Sequence, residues 1–276
     1  MNSAGVLRGV PRLSIGLWVG LTVIVTLFLA GFLYPLPFDP IKPDANSVLD
    51  PPSALHWMGT DSLGFDIFSR VIAAAKRDLP LALGGALGSA LLGVPLGLAT
   101  TLRGRASNLI MRGLDAFQAF PLLVLSIALV TLTGNRLEMV VFAIIVIETP
   151  RFIRLIRSEG LAIRESRFIE AAEAMGASPT RILFVHLLPN VTGVLLVQLS
   201  IAAAHSLTVV AALSFLGIGV SPPDPSWGVM IQNGARLMTS GEWWVSLFPG
   251  LAVFLAIMSL NLIADELDIL FERSSR

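Results

Sequence analysis

The chain has 276 residues, 54% of them hydrophobic and only 14% charged, with a mean hydropathy of +0.79, against about 25% charged residues in soluble domains. That much apolar surface exceeds what a soluble core of this size can hide, so a multi-span membrane protein is predicted. Nineteen basic residues balance nineteen acidic ones and are scattered along the chain, which excludes a nucleic-acid surface; the absence of cysteine excludes disulfides and thiolate metal sites.

Six apolar runs approach the roughly 20 residues that a membrane span needs. They cover about Leu13–Tyr34, Leu79–Leu102, Leu114–Leu132, Met139–Phe152, Val191–Leu216 and Val245–Leu270. The first is too long and too uniformly apolar for a signal peptide and has no A-x-A cleavage pattern, so it reads as a retained helix. The second carries Gly84, Gly85, Gly88, Gly93 and Gly97; the four-residue spacing of Gly84 with Gly88 and of Gly93 with Gly97 suits close helix packing, and Pro95 is expected to kink it. The fourth is short, with Glu148 near its end, and spans only if it runs from Leu137 to Ile156.

Orientation follows from Lys and Arg. With a cytoplasmic N-terminus, 13 of the 19 basic residues fall inside, among them Arg8, Arg12, Arg103, Arg151, Arg154, Arg157, Arg164, Arg167, Arg181, Arg273 and Arg276. The expected organisation is a cytoplasmic N-terminus (1–12), a first span (13–34), an acidic outer loop (35–78), a core of five spans (79–270) with a cytoplasmic loop at 157–190, and a cytoplasmic C-terminus (271–276). Trp227, Trp243 and Trp244 fall near outer helix ends, where interfacial aromatics belong.

The longest polar stretch, FIEAAEAMGASPTRILFVHLLPN (Phe168–Asn190), lies in that cytoplasmic loop. Strong helix formers run to Ala174, Gly176 is the stop, and Ser178 with Pro179 opens a second short helix. Pro189 ends that helix and begins the next span. The apolar side of the first helix holds Phe168, Ile169, Ala172 and Met175. The residues alone leave open whether it rests on the bundle or lipid headgroups or docks into a groove on a soluble partner.

The segment EAAEAMG, with HLLPN following, resembles the cytoplasmic EAA loop of ABC importer permeases. HWMGTDSLGFDIFSRVIAAAK (His56–Lys76), MRGLDAFQAFP (Met111–Pro121), SFLGIGVSPPDPSWGVMI (Ser214–Ile231) and LFPGLAVFLAIMSLNLIADEL (Leu247–Leu267) resemble segments of its dipeptide/oligopeptide/nickel subfamily, in order, over about residues 10–270. The pattern is that of the second, C-type permease of the pair. It departs from the subfamily at Phe65, where Arg is usual, at the AAKRDL segment, and at Ala264 and Asp268.

The resemblance implies an all-α integral membrane protein with six transmembrane helices of the type I importer permease fold and a cytoplasmic coupling helix. It implies an ATP-driven, binding-protein-dependent importer in which this chain forms half of the pore. The expected substrates are di- or oligopeptides, with nickel, a metal chelate, glutathione or another small solute as the alternative. Implied partners are a homologous second permease, two ATP-binding subunits, an extracytoplasmic substrate-binding protein and the bilayer of a prokaryotic plasma membrane. No phosphate-binding G-x-x-x-x-G-K-[ST] loop occurs, so ATP and Mg belong to the partner subunits and no cofactor or catalytic residue is expected here.

Coupling would fall to Glu170, Ala171, Ala172, Glu173, Gly176, Ser178, Pro179, Leu188 and Pro189. Glu170 and Glu173 would meet basic residues of the ATPase. The docking loop for the binding protein would use Gly59, Thr60, Asp61, Gly64, Asp66 and Trp227; Asp61 and Asp66 read as turn formers and caps rather than metal ligands. Within the spans, Gln198 and His205 either line the path or, for His205, bond to a neighbouring helix. The three histidines form no metal cluster. Two other classes compete. An intramembrane enzyme lacks a catalytic pair at plausible depth, and a stand-alone secondary transporter is expected to show internal repeats that this sequence lacks.

Overall fold

Asp66 starts the 34-residue helix that anchors the bundle. Its backbone is extended, its carboxylate accepts the N–H of Ser69, and the helix then runs without a break from Ile67 to Thr100, because the side-chain cap satisfies one of the donors that a helix start leaves open. The structure is a computed structural model that describes residues 15–274 apart from 103, 135 and 221. The expected N-terminal segment 1–12, the first two residues of the first span, and Arg8, Arg12, Arg103, Ser221 and Arg276 lie outside the described residues.

In chain order the elements are α1 (Ile15–Leu33), α2 (Ile67–Thr100), α3 (Arg105–Gln118), α4 (Leu122–Leu132), α5 (Leu137–Arg164), α6 (Arg167–Ala174), α7 (Pro179–Arg181), a π-helical turn (Ile182–Leu187), α8 (Leu188–Phe215), α9 (Trp227–Ala235) and α10 (Trp244–Ser274), with one 3₁₀ turn at Met238–Ser240. Among the described residues every regular element is helical, and the one strand-like feature is a bridge between Thr60 and Asp66. This is the all-helical architecture that a lipid environment imposes, since each helix satisfies its own backbone.

Several expected boundaries move. The second span was expected from Leu79, but α2 begins at Ile67, so the last part of the predicted loop 35–78 is helical. At 34 residues α2 is about 51 Å long, well beyond a hydrocarbon core of about 30 Å. The third run is not one straight span: α3 and α4 meet at 89°, because Pro121 stands at the N-cap of α4 and cannot continue α3. The fourth run extends to Arg164, which places Arg151, Arg154 and Arg157 on a helix packed along α2.

Pro189 does not end a helix; Pro179–Phe215 is one continuous element of 37 residues. The π turn ahead of Pro189, with the Leu188 N–H donating to the Leu183 carbonyl, absorbs the bond that proline cannot make. The region between α8 and α10 contains a further helix, α9. By length and composition four helices can cross a membrane, or five if α3 and α4 form one broken span; α5 is long enough but carries too many charges to qualify on composition.

The tightest seam joins α2 to α5. Gly85, Ser89, Gly93 and Gly97, spaced every four residues, are buried against Ile144, Ile145, Phe152 and Ile156. Of the expected pair Gly84 and Gly88, Gly88 stands at the seam, where a Cβ would lie 2.4 Å from Ile145, but Gly84 does not: nothing lies within 4 Å of a Cβ placed there, whereas one at Gly85 would stand 2.4 Å from Ile144. Apolar clusters continue on both sides of the seam. One, around Ile67, Leu79, Leu207, Trp227 and Val245, lies where α2, α8, α9 and α10 meet; another, around Leu98, Ile156, Ile169, Ile182 and Leu187, lies under α6. Both Pro80 and Pro95 sit inside α2 without interrupting it.

The seam makes a prediction. A Cβ at Gly93 would lie 2.4 Å from Cβ of Phe152 and 3.0 Å from the Thr149 carbonyl. Gly93→Val should therefore lower stability by about 1–3 kcal/mol, the usual cost of overpacking, while Gly84→Ala should not lower it, since Ala is the better helix former. Thermal unfolding of the purified protein in detergent measures both; equal midpoints for the two variants would contradict the packing.

Candidate docking and pathway sites

At one end of the bundle, α5 hands over to α6 through Ser166, whose extended backbone forms the N-cap. Ile169 and Ala172 point inward and are buried; Phe168, Glu170, Ala171, Glu173, Ala174 and Met175 are exposed, Met175 by 83%. The expected apolar side thus divides in two: Ile169 and Ala172 hold α6 to the bundle, Met175 faces away from it, and Phe168 is half exposed beside the His186 ring. Gly176 N–H donates to the Glu173 carbonyl and Ala177 N–H to that of Ala172, the paired bonds of a Schellman ending. This requires the left-handed backbone of Gly176, at φ 85°. Ser178 Oγ then accepts the Arg181 N–H, with Pro179 at the first helical position. The knob is therefore one turn away from α7 and, through it, from the full length of α8. Leu188 and Pro189 lie inside that helix.

Glu170 has no polar partner among the described residues. Glu173, expected to meet a partner's basic residue, forms an ion pair with Arg164 at 3.1 Å, and Arg164 also donates to the Thr101 carbonyl at 2.8 Å. Arg164, read first as a positive-inside anchor with a specific contact as the alternative, joins α2, α5 and α6. An open cavity of about 420 Å³ beside the knob is lined by Leu102, Arg164, Glu173, Ala177, Pro179 and Ile182. Arg157 reinforces the same corner by donating to the Thr100 carbonyl and Ser107 Oγ.

At the opposite end, the α1–α2 loop is knitted by side chains that the sequence placed on its surface. Asp61 Oδ1 accepts the N–H groups of Leu63 and Phe65. Thr60 exchanges two bonds with Asp50. Asp66, besides capping α2, bonds His56 Nδ1 at 2.9 Å. Gly59 and Gly64 both have positive φ, and a Cβ at Gly64 would strike the Asp44 carbonyl at 2.0 Å. Gly59, Thr60, Asp61, Gly64, Asp66 and Trp227 are all buried. This corrects their expected placement: they shape the platform from within, and its exposed apolar surface includes Leu55, Trp57 and Leu63. Phe65, the departure from the usual Arg, lies under the Arg70 guanidinium at 4.1 Å.

Trp227 was expected either at the interface or packed on the segment 35–78, and it takes the second place. It is fully buried, and its Nε1 donates to the Val71 carbonyl. Trp244 is also buried and donates to the Thr60 carbonyl, which leaves Trp243 exposed where an interfacial aromatic was expected. Asp78, counted as a loop charge, is buried and accepts the Trp227 N–H and the Ser226 hydroxyl through Oδ2. It caps α9 from α2.

Within the spans, His205 Nδ1 stands 2.7 Å from Glu148 Oε1, and Arg151 donates to both Glu148 oxygens at 3.1 and 3.2 Å. Arg151 Nη2 is 3.4 Å from His205 Nε2. Of the two open possibilities for His205, the bond to a neighbouring helix is realised. Gln198 is on the same side of α8 but joins no such cluster. Glu148 and Arg151 were not picked out as a site; their i, i+3 spacing inside an apolar helix was the available signal. Asp115 pairs with Arg154, linking α3 to α5. Among the described residues no group of three or more potential metal ligands comes together.

The family described as "Binding-protein-dependent transport system inner membrane component" matches residues 89–276. A putative peptide transport system permease protein of Brucella suis biovar 1 (strain 1330) is 38% identical over 252 residues, covering 90% of this chain and 84% of its own length. A dipeptide transport system permease protein of Alkalihalophilus pseudofirmus is 37% identical over 90% of this chain and 83% of its own. A glutathione transport system permease protein of Pectobacterium atrosepticum is 37% identical over 95% of this chain and 86% of its own. The bent, charge-laced bundle described above is thus a multi-pass membrane permease subunit that works with separate ATP-hydrolysing and substrate-binding proteins, and the chain belongs to the family of inner-membrane components of binding-protein-dependent transport systems.

Proposed function

We propose that this chain is the C-type permease of an ATP-driven importer of di- or oligopeptides. It pairs with a homologous second permease, each contributing half of the pore, and the pair stands on two ATP-binding subunits that hold ATP and Mg. The observation that carries the proposal is the knob α6, with Phe168, Glu170, Ala171 and Met175 exposed, joined by one fixed turn to the continuous helix Pro179–Phe215. A groove on an ATP-binding subunit takes such a helix by its outward side chains. Closure of the ATPase dimer then displaces α6, and α7–α8 carries that displacement into the membrane as a rigid element.

The α1–α2 loop, with Leu55, Trp57 and Leu63 exposed on a firmly bonded frame, receives the substrate-binding protein. Peptide specificity is supported by the names of the relatives, and the glutathione permease among them favours glutathione, itself a tripeptide, as the second reading.

Gly176→Asp tests the coupling. No atom lies within 4 Å of a Cβ at that position, and Asp enters the left-handed region more readily than most residues, so the variant should reach the membrane in normal amount. Uptake should fall at least about tenfold, the equivalent of roughly 1.4 kcal/mol of docking; unchanged uptake would remove α6 from the coupling path. Sidedness has its own check. Ser53 and Ser178 are exposed at opposite ends, so an impermeant thiol reagent added to intact cells should label Ser53→Cys and spare Ser178→Cys, and the reverse pattern would invert the topology.

A further inference from the structure

The outward surfaces of the bundle differ in chemistry. Over residues 247–258 of α10 the exposed side chains are Leu247, Leu251, Phe254, Leu255 and Met258, and along α2 they include Leu87, Leu91, Leu92 and Leu96, as lipid requires. The side formed by α3, α4, α5 and α8 is different. It presents Arg151, partly exposed Gln118, Gln198 and His205, and exposed Thr208.

Arg151 lies deep in the bundle. Its neighbour Phe152 packs on Gly93 of α2, seven residues, or about 10 Å, inside the end of that helix. A guanidinium turned toward acyl chains at such depth is strongly disfavoured, so this side meets water or protein. The guanidinium opens instead into a cavity of about 310 Å³ that Phe117, Gln118, Phe120 and Ile147 also line.

The three charged or titratable groups are arranged unequally. Glu148 is completely buried, while the Arg151 side chain is 39% exposed and that of His205 30%. With Nδ1 protonated, neutral His205 donates to Glu148 and offers Nε2 to Arg151, so three hydrogen-bonded contacts close a ring around the carboxylate. The negative end of the pair is turned into the protein and the positive end into the cavity. The cavity therefore faces the positive end of the pair.

We propose that Arg151, oriented by Glu148 and His205, is a fixed positive site on the translocation path that engages the carboxylate of a passing solute. A guanidinium with free N–H groups matches a carboxylate in geometry as well as charge, and the aromatic walls of Phe117 and Phe120 suit the apolar part of such a molecule. The assignment rests on the importer reading for its solute and extends it to a named contact. Glu148 and His205 are positioning residues; Arg151 is the group that meets the solute.

The absence of cysteine in the chain allows a direct probe. Gln118→Cys in the assembled transporter is treated with anionic sulfonatoethyl and cationic trimethylammonioethyl methanethiosulfonate, with and without ATP, each rate normalised to that with a free thiol in solution. The anionic reagent should react about threefold faster or more beside the positive end of the Glu148–Arg151 pair. Arg151→Lys should keep the preference and Arg151→Gln abolish it, and the same Arg151→Gln change should reduce ATP-driven uptake of alanyl-alanine. A ratio near unity with Arg151 in place, a preference that survives Arg151→Gln, or no modification by either reagent in any state would overturn the proposal, the last because it means that protein covers the site. Absence of alanyl-alanine uptake by the unaltered complex, with the charge preference intact, would count against the peptide reading and leave the positive site standing.

Discussion

The close approach of α2 to α5 is the constraint on which the other contacts depend. In lipid, no hydrophobic gain drives one helix onto another, and association relies on packing and hydrogen bonds. The Gly85–Ser89–Gly93–Gly97 line supplies that packing, with Ser89 Oγ bonded back to the Gly85 carbonyl and reaching the Ile145 carbonyl at 3.4 Å. Once α5 is fixed against α2, its far end brings Arg157 and Arg164 to the last turn of α2, and Gly160 lets Thr101 approach closely. The corner so formed is the seat of α6. The same seam brings Glu148 and Arg151 to the place where His205 of α8 can reach them.

Motion introduced at α6 has two routes into the bundle. One is the covalent path through the Gly176 turn into α7 and α8; the other is Arg164, which ties Glu173 of α6 to Thr101 of α2. The π turn at Ile182–Leu187 is the irregular turn inside the helical part of the first route, and single π turns within α-helices recur at functional sites. At the opposite end, α9 is wedged between α8 and α10 with glycines at its tightest contacts, Gly228 on the Ala211 carbonyl and Gly234 on the Ser246 backbone. Asp78 ties it to α2. The two ends of the pathway thus differ in build: a protruding knob at one, a buried and capped wedge at the other.

What could be read from the sequence was what is local. The helix–Gly–helix of Arg167–Arg181, its stop at Gly176 and its cap at Ser178 depend on neighbours within four residues, and the sequence states them directly. The existence of most apolar helices was equally plain. Features that depend on distant partners were not. Glu148 and His205 are 57 positions apart, and Asp78 meets Trp227 across 149; each looked like a stray polar group until the fold paired it. The loop residues Thr60, Asp61 and Asp66 looked like surface because polar residues in turns usually are, yet their carboxylates and hydroxyl are consumed in holding the loop together. The bend between α3 and α4 was hidden because hydropathy runs on through Phe117–Leu125 while Pro121 breaks the backbone.

The most direct test of the account is a photo-cross-link from α6 in the complete transporter. A benzoylphenylalanine placed at Met175, which is 83% exposed, should join this chain to an ATP-binding subunit, while the same group at Ile169, which is 1% exposed, should not. Cross-linking at Met175 that varies with nucleotide would establish α6 as the contact that carries ATP-driven movement. If the ATP-binding subunits co-purify with this chain and Met175 nonetheless captures none of them in any nucleotide state, the knob lies elsewhere and the coupling account is wrong.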